Sequence, residues 1–158
     1  MFREMRRFKQ QIAPEECIEL LKKEPRGVLA VHGEEGYPYA VPLDFYYDEE
    51  TGRIYFHGAH EGHKIDAIKR DPKACFCVYE KGIKLEGDWA YTARSVVVFG
   101  RVQPVTDFAR IVEISRKLGL KYYPSAEEVE KEIEKAVRRV NVLELTVDHM
   151  TGKRVHEQ

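Results

Sequence analysis

Between residues 55 and 66 the chain reads Tyr55-Phe56-His57-Gly58-Ala59-His60-Glu61-Gly62-His63-Lys64-Ile65-Asp66, its densest run of groups able to hold or move a proton. The pattern describes a strand that ends in His57, passes two glycines and enters a helix whose first turn carries His63 and Lys64. A helix start offers unpaired N–H groups and a partial positive charge. Gly62 lets an anion approach the backbone and Lys64 adds a full charge, so together they suit a phosphate. The same residues also suit an ordinary strand-to-helix turn with solvated polar side chains. His57, His60 and His63 recur every third residue, but the glycines between them prevent one continuous helix from presenting all three. No Cys or carboxylate cluster completes a ligand set, so no metal is expected.

A second stretch, Tyr39-Ala40-Val41-Pro42-Leu43-Asp44, is an aromatic and apolar strand interrupted by proline. Its backbone could pair with a planar ring in place of a neighbouring strand, or the prolines could simply protect a sheet edge. A third, Ser95-Val96-Val97-Val98-Phe99-Gly100, is apolar on both faces and needs cover on both sides, from the chain itself or from a second subunit. No Gly-x-Ser-x-Gly elbow or reactive-cysteine context is present, so hydrolase chemistry has no support.

The elements that must position these groups follow from periodicity. Pro14-Glu15-Glu16 opens a helix with Cys17, Ile18, Leu20 and Leu21 on its apolar side, and Pro25 and Gly27 stop it. Val28 to Val31 and Tyr37 to Val41 flank a Gly-containing turn and predict a hairpin, the second strand continuing to Tyr47. Arg53 to His57 forms a third strand, Gly62 to Arg70 a short helix, Ala74 to Tyr79 a fourth strand and Arg94 to Val102 a fifth. Thr106 is a candidate cap for a helix that Gly119 closes, and Ser125-Ala126-Glu127-Glu128 is a capping box for another, carrying Val129, Ile133, Ala136, Val137 and Val140 inward. The last strand, Asn141 to Val147, places Val142 and Glu144 opposite Leu143 and Leu145. Six strands in hairpin-like order, without βαβ alternation or a Gly-x-Gly-x-x-Gly loop, predict a small antiparallel barrel with flanking helices.

Composition agrees with a single folded domain over residues 1–158: 43% hydrophobic and 34% charged residues exclude disorder. Lys plus Arg number 26 against 27 Asp plus Glu, a net charge of -1 that argues against a dedicated nucleic-acid binder. No apolar run is long enough to span a membrane, and the charged start Met1-Phe2-Arg3-Glu4-Met5-Arg6-Arg7 is unlike a secretory signal, so the cytoplasm is the expected location. Cys17, Cys75 and Cys77 fit neither a disulfide framework nor a zinc knuckle and read as small buried hydrophobes.

Taken in order, Gly27-Val28-Leu29-Ala30, Gly36-Tyr37-Pro38-Tyr39-Ala40-Val41-Pro42-Leu43, Ile54-Tyr55-Phe56-His57-Gly58-Ala59, Gly62-His63-Lys64, Ser95-Val96-Val97-Val98-Phe99-Gly100 and Thr151-Gly152-Lys153 resemble the pyridoxamine 5'-phosphate oxidase-like flavin-binding split barrels. Within that family the sequence is most similar to the 5-nitroimidazole reductase branch, and the resemblance runs from about Met5 to Lys153. It implies a homodimer of six-stranded antiparallel split β-barrels binding FMN at the subunit interface, acting as a flavin-dependent nitroreductase with NADH, NADPH or another electron donor. It also implies that Val41, Pro42, Leu43 and Asp44 lie along the flavin ring. His57, Ala59, Gly62, His63 and Lys64 would run from ring to phosphate, and Arg94 and Ser95, from the same or the partner subunit, would complete the phosphate end. His57 matches a position that the branch places beside the flavin for substrate chemistry. Many relatives carry Lys or Arg directly after the glycine; here His63 precedes Lys64, so either could face the phosphate. Two other readings are compatible with the same fold: a flavin-binding or redox-sensing module without turnover, and a haem-binding barrel with a histidine ligand.

Overall fold

A computed structural model describes residues 1–156. The chain runs α1 (Pro14–Lys23), β1 (Arg26–His32), β2 (Pro38–Asp44), β3 (Tyr46–Asp48), β4 (Arg53–Gly58), α2 (His63–Arg70), β5 (Lys73–Tyr79), β6 (Thr92–Pro104), α3 (Phe108–Tyr122), α4 (Ala126–Ala136) and β7 (Asn141–His156). All strands pair antiparallel in one sheet of order β2-β1-β5-β6-β7-β4-β3. The two edge strands, β2 and β3, are consecutive in the chain with Phe45 alone between them. A sheet whose edges are joined by one residue must curl onto itself. The result is a split barrel, mainly β with flanking helices.

Seven strands form where the sequence pattern predicts six, because the expected run from Tyr37 to Tyr47 breaks at Phe45. Phe45 is fully buried, and its ring meets that of Phe76 edge-on at 5.0 Å. Its backbone, outside either ladder, is served by α3: its N–H donates to the Tyr122 hydroxyl at 2.9 Å, and Lys121 Nζ donates to its carbonyl at 2.9 Å. Side chains of a helix thus replace the neighbours that a continuous strand would have had.

Alternation sends Leu29, Val31, Ile54, Phe56, Phe76, Val78, Val96, Val98, Leu143 and Leu145 into the barrel. Helix α1 seats Cys17, Leu20 and Leu21 on that core, and burial of each of the two leucines contributes roughly 1.5–3 kcal/mol. Helix α2 adds Ile65, Ala67 and Ile68. On the outer face Tyr55 and Val142 are fully buried beneath Ile114 of α3, so this wall of the barrel is covered on both sides.

Three local expectations change. Asp107 caps α3 in place of Thr106, its carboxylate accepting from the Ala109 N–H at 3.2 Å. Gly119 does not close that helix, which continues to Tyr122; it lies against α4, where an added Cβ would stand 2.9 Å from Val129 Cγ1. The last strand runs past Val147 to His156, because a bulge at Phe99 and Gly100 shifts its register against β6 and interrupts the alternation that would reveal it. Ser125 caps α4 as expected, accepting from the Glu128 N–H at 3.2 Å. All three cysteines are free; Cys17 is buried, whereas Cys75 and Cys77 are half-buried on the outer face of β5. Among the described residues, no helix is long and apolar enough to cross a membrane.

Candidate functional site

The split between β2 and β4 gathers most of the predicted residues. β3 pairs with β4 through Tyr46 and Tyr55, Tyr47 and Ile54, and Asp48 and Arg53. Continued past Phe45, that register sets Asp44 across from His57, and both residues line one cavity. Along β2, Tyr39, Val41 and Leu43 pack toward the core while Pro38, Ala40 and Pro42 are exposed. Proline has no N–H, so the ladder to β1 must run through Tyr39, Val41 and Leu43. The backbone groups of Ala40, Pro42 and Asp44 then face the open edge, where a planar polar ring can pair with them. The Asp44 carboxylate stands 3.2 Å from Arg26 Nε.

Helix α2 begins on the other side of the split. Gly62 has φ 139°, a conformation that side chains disfavour, and no side chain caps the helix. Its first helical hydrogen bond runs from the Asp66 N–H to the Gly62 carbonyl at 3.1 Å, which leaves the amides of His63, Lys64 and Ile65 at an open helix start. The Lys64 ammonium lies over Gly58, 3.3 Å from where a Cβ would stand, so a side chain there would make it shift by a few tenths of an ångström. His63 turns the other way and stacks on the Tyr39 ring with centroids 3.9 Å apart, its Nε2 beside Gly33. The two adjacent basic residues therefore part: Lys64 faces the end of β4 and the exposed loop through Ala59, while His63 braces β2.

His57 points outward from β4 with Tyr55, opposite Val142 in the ladder. Beneath it, the Tyr55 hydroxyl donates to Glu144 Oε2 at 2.9 Å, and Arg110 of α3 donates to that hydroxyl at 2.6 Å and to Glu144 at 3.1 Å. Arg53 completes the network by donating to Glu144 at 3.2 Å. Burial, and then the bond to Glu144, push the Tyr55 hydroxyl up from its ordinary pKa. This network pins α3 to β4 and β7. Beyond it, α3, α4 and the barrel wall border a half-open cavity of about 210 Å³, with Ile114, Leu118, Ile133 and Val137 among its apolar lining and His57 and Asp44 in its wall.

Two features of this region are missed by sequence reasoning. The cavity is one, since the stripes of α3 and α4 read as plain core. The other is the pair Lys121 and Tyr122, which look like ordinary helix-end residues. Burial pulls Lys121 down to about 8, its ammonium lying 3.6 Å from the centroid of the Phe45 ring, and pushes Tyr122 up to about 12. Their signal was the break they serve at Phe45, which alternation alone does not show.

Arg94 and Ser95 lie elsewhere. Ser95 pairs with Tyr79 and Lys153, whereas the row through His57 and Val142 meets β6 only at Val105, roughly 30 Å of strand away at ~3.3 Å per residue. Arg94 donates to Glu80 at 3.0 and 2.6 Å and to Glu19 at 3.4 Å, with Glu16 at 3.5 Å. The hydrogen bonds to Glu80 hold the guanidinium above its ordinary pKa and the Glu80 carboxyl below its own. Within one chain these two residues do not join the group around His57. Among the described residues, no three His, Cys, Asp or Glu side chains gather as a metal site.

The sequence profile of pyridoxamine 5'-phosphate oxidases matches residues 13–154. This chain belongs to the pyridoxamine 5'-phosphate oxidase family. No curated protein sequence matches this family member. Its fold is that of a candidate 5-nitroimidazole antibiotic resistance protein from Bacteroides thetaiotaomicron, with 23% identity, a TM-score of 0.76, and 91% of this chain and 86% of that one covered. A flavocytochrome from Azotobacter vinelandii is similar at 19% identity and a TM-score of 0.79, over 98% of this chain and 73% of the other. A FAD and haem binding protein from Mycobacterium smegmatis shares 18% identity at a TM-score of 0.73, over 94% of this chain and 74% of that one. The family implied by the ordered motifs is thus the one found, and these likenesses carry the split-barrel fold over nearly the whole chain.

Proposed function

We propose that this protein is a cytoplasmic, homodimeric flavin-binding oxidoreductase that holds FMN along the split between β2 and β4 and reduces a nitro group or similar small electrophile. One observation carries the reading: an uncapped helix start with Lys64 held over Gly58 stands beside His57, across from a proline-interrupted sheet edge. Such a pairing suits a cofactor with a phosphate at one end and a planar hydrogen-bonding ring at the other. Family membership supports it, as do the FAD-binding protein from Mesorhizobium loti and the flavocytochrome among similar folds.

In this reading Val41, Pro42, Leu43 and Asp44 flank the ring, and Ala59 and Gly62 leave the backbone open to the chain of the cofactor. Lys64 neutralises the phosphate, and His63 holds Tyr39 and so the edge of β2. Arg94 and Ser95 contribute only from a second subunit. An exposed aromatic stack of Phe2 on His149, with centroids 4.7 Å apart, and of Phe2 on Phe99 at 5.6 Å offers that subunit a surface to cover. Bound flavin supplies the two-electron redox chemistry, with NADH, NADPH or another electron donor. Nitro reduction also consumes protons, and a ring N–H of His57 delivers one.

The test is the absorption spectrum of the purified protein, repeated after adding NADPH and then a nitroimidazole without oxygen. Flavin bands that bleach and return support the reading. Bound flavin that stays oxidised makes the protein a binding or redox-sensing module, a haem band makes it a haem-binding barrel, and no flavin after adding FMN overturns the proposal. His57→Ala protein with flavin still bound should lose turnover; unchanged turnover removes the role of His57.

A further inference from the structure

We infer that the N-terminal strap, Arg3 to Gln10, seats the phosphate-bearing adenosine end of the electron donor, and that the donor is NADPH in preference to NADH. The inference rests on the reading above, in which Arg94 and Ser95 reach the cofactor of a second subunit. Charge is the first observation. The chain as a whole carries -1, yet residues 3–9 hold Arg3, Arg6, Arg7 and Lys9 against Glu4 alone. Elsewhere Arg94, Arg101, Arg110, Arg116 and Arg154 each face a carboxylate. Arg6 and Lys9 are exposed and form no ion pair among the described residues.

Shape comes second. Arg6, Arg7, Phe8, Lys9 and Gln10 border an open hollow of about 260 Å³, and no carboxylate is among the described residues that line it. Phe8 stands 68% exposed in the midst of these cations. A free aromatic face beside guanidinium and ammonium groups suits a ligand with a flat base at one end and phosphate at the other. Order is the third observation. The Gln10 N–H donates to the Arg7 carbonyl at 2.9 Å, the Gln11 N–H to that of Phe8 at 3.1 Å and the Ile12 N–H to that of Gly152 at 3.0 Å, while Phe2 stacks on His149. Charges fixed in this way lose less freedom on binding than those of a loose tail. Place is the fourth. Gln11 pairs with Lys153, and Lys153 with Ser95. Paired strands lie ~4.8 Å apart, so the end of the strap is roughly 10 Å from Ser95. A subunit that offers Ser95 to its partner's cofactor therefore sets its strap beside that cofactor, where a donor must arrive.

The test uses adenosine 2',5'-bisphosphate and adenosine as probes, with binding measured by calorimetry on flavin-free and on FMN-loaded protein. The bisphosphate should bind both forms and weaken as salt is raised, and adenosine should bind at least about tenfold more weakly. Arg6→Ala and Lys9→Ala should each weaken the bisphosphate at least about tenfold, the loss of one charge-assisted hydrogen bond. Phe8→Ser should weaken it at least about fivefold, the loss of one stacked base, with circular dichroism unchanged in all three variants. Lys131→Ala, exposed on α4, is the control and should bind as wild type. Bound flavin should be reduced at a lower concentration of NADPH than of NADH, and Lys9→Ala should remove that difference. Adenosine bound as well as the bisphosphate, wild-type affinity in Arg6→Ala and Lys9→Ala, equal reduction by NADPH and NADH, or an equal loss of FMN affinity in these variants would overturn the inference. FMN affinity, titrated separately, keeps the two readings apart. Bisphosphate binding without FMN binding defeats the flavin reading alone, and FMN binding without bisphosphate binding defeats this one alone.

Discussion

Replacing Tyr122 by Phe removes one oxygen and tests the joint that converts a sheet into a split barrel. The Tyr122 hydroxyl accepts from the Phe45 N–H at 2.9 Å and sits 2.7 Å from the Pro25 carbonyl and 3.0 Å from that of Phe45. In Tyr122→Phe the Phe45 carbonyl keeps Lys121 Nζ at 2.9 Å, and the exposed Pro25 carbonyl can turn to water. The amide of Phe45 has no such recourse, because the residue is fully buried and belongs to neither ladder. An orphaned buried donor costs ~1–3 kcal/mol, and in a chain of this size each kcal/mol lowers Tm by about 2–4 °C. Urea unfolding followed by far-UV circular dichroism should show a lower midpoint at unchanged slope, since the exposed surface does not change. Tyr123→Phe, whose side chain is exposed, is the control and should behave as wild type. A Tyr122→Phe midpoint indistinguishable from the Tyr123→Phe midpoint would refute the claim that α3 supplies the missing ladder partner.

Further expectations follow from the same geometry. Lys64→Ala should weaken FMN by ~1.5–3 kcal/mol, the range of a charge-assisted hydrogen bond, whereas equal affinity by fluorescence titration would pass the phosphate to His63 or to a second subunit. Lys121 titrates near 8 in the folded chain and at its higher ordinary value when unfolded, so the unfolded state binds more protons between these values and stability rises with pH there. Relative to Lys121→Met, wild type should gain at most about 3 kcal/mol from pH 8 to 10.5, at ~1.4 kcal/mol per unit, and parallel profiles would contradict the burial of this ammonium. Gly152→Ala should cost ~1–3 kcal/mol by overpacking, because its Cβ would fall 2.5 Å from Cys17 Sγ and 2.7 Å from Ile12 Cγ1; an unshifted melting temperature would mean that α1 can move off β7.

The barrel was legible because its signals are local. The apolar and aromatic run Ile54 to Phe56, the alternation from Val142 to Leu145, the proline and acids that open α1, and the capping box at Ser125 each act within a few residues. What stayed hidden depends on partners distant in sequence. Phe45 looks like any strand residue until Tyr122 and Lys121 are seen to take its backbone out of the ladder. Gly119 looks like a stop signal because nothing near it in sequence reveals that Val129 presses against it. The candidate site divides in the same way: His57, Gly62 and Lys64 lie in one short segment, and Val41 to Asp44 join them by the closing of the sheet. The resemblance implies a phosphate contact for Arg94, yet in this chain Glu16, Glu19 and Glu80 already surround it.

Closure at Phe45 also ties the proposed cofactor seat to α3. Asp44 precedes Phe45 on β2, and Tyr122, which holds the Phe45 backbone, is itself part of the cavity wall. Lys121, next in sequence, sits over the Phe45 ring and near the charge of Asp44. With FMN seated along β2 as proposed, its seat and α3 are coupled through the backbone of Phe45. The coupling is reciprocal by thermodynamic necessity. Tyr122→Phe removes the hydroxyl that accepts from the Phe45 N–H, so FMN affinity, titrated by fluorescence, should fall below that of wild type, and equal affinity would show that the end of β2 keeps its place without α3.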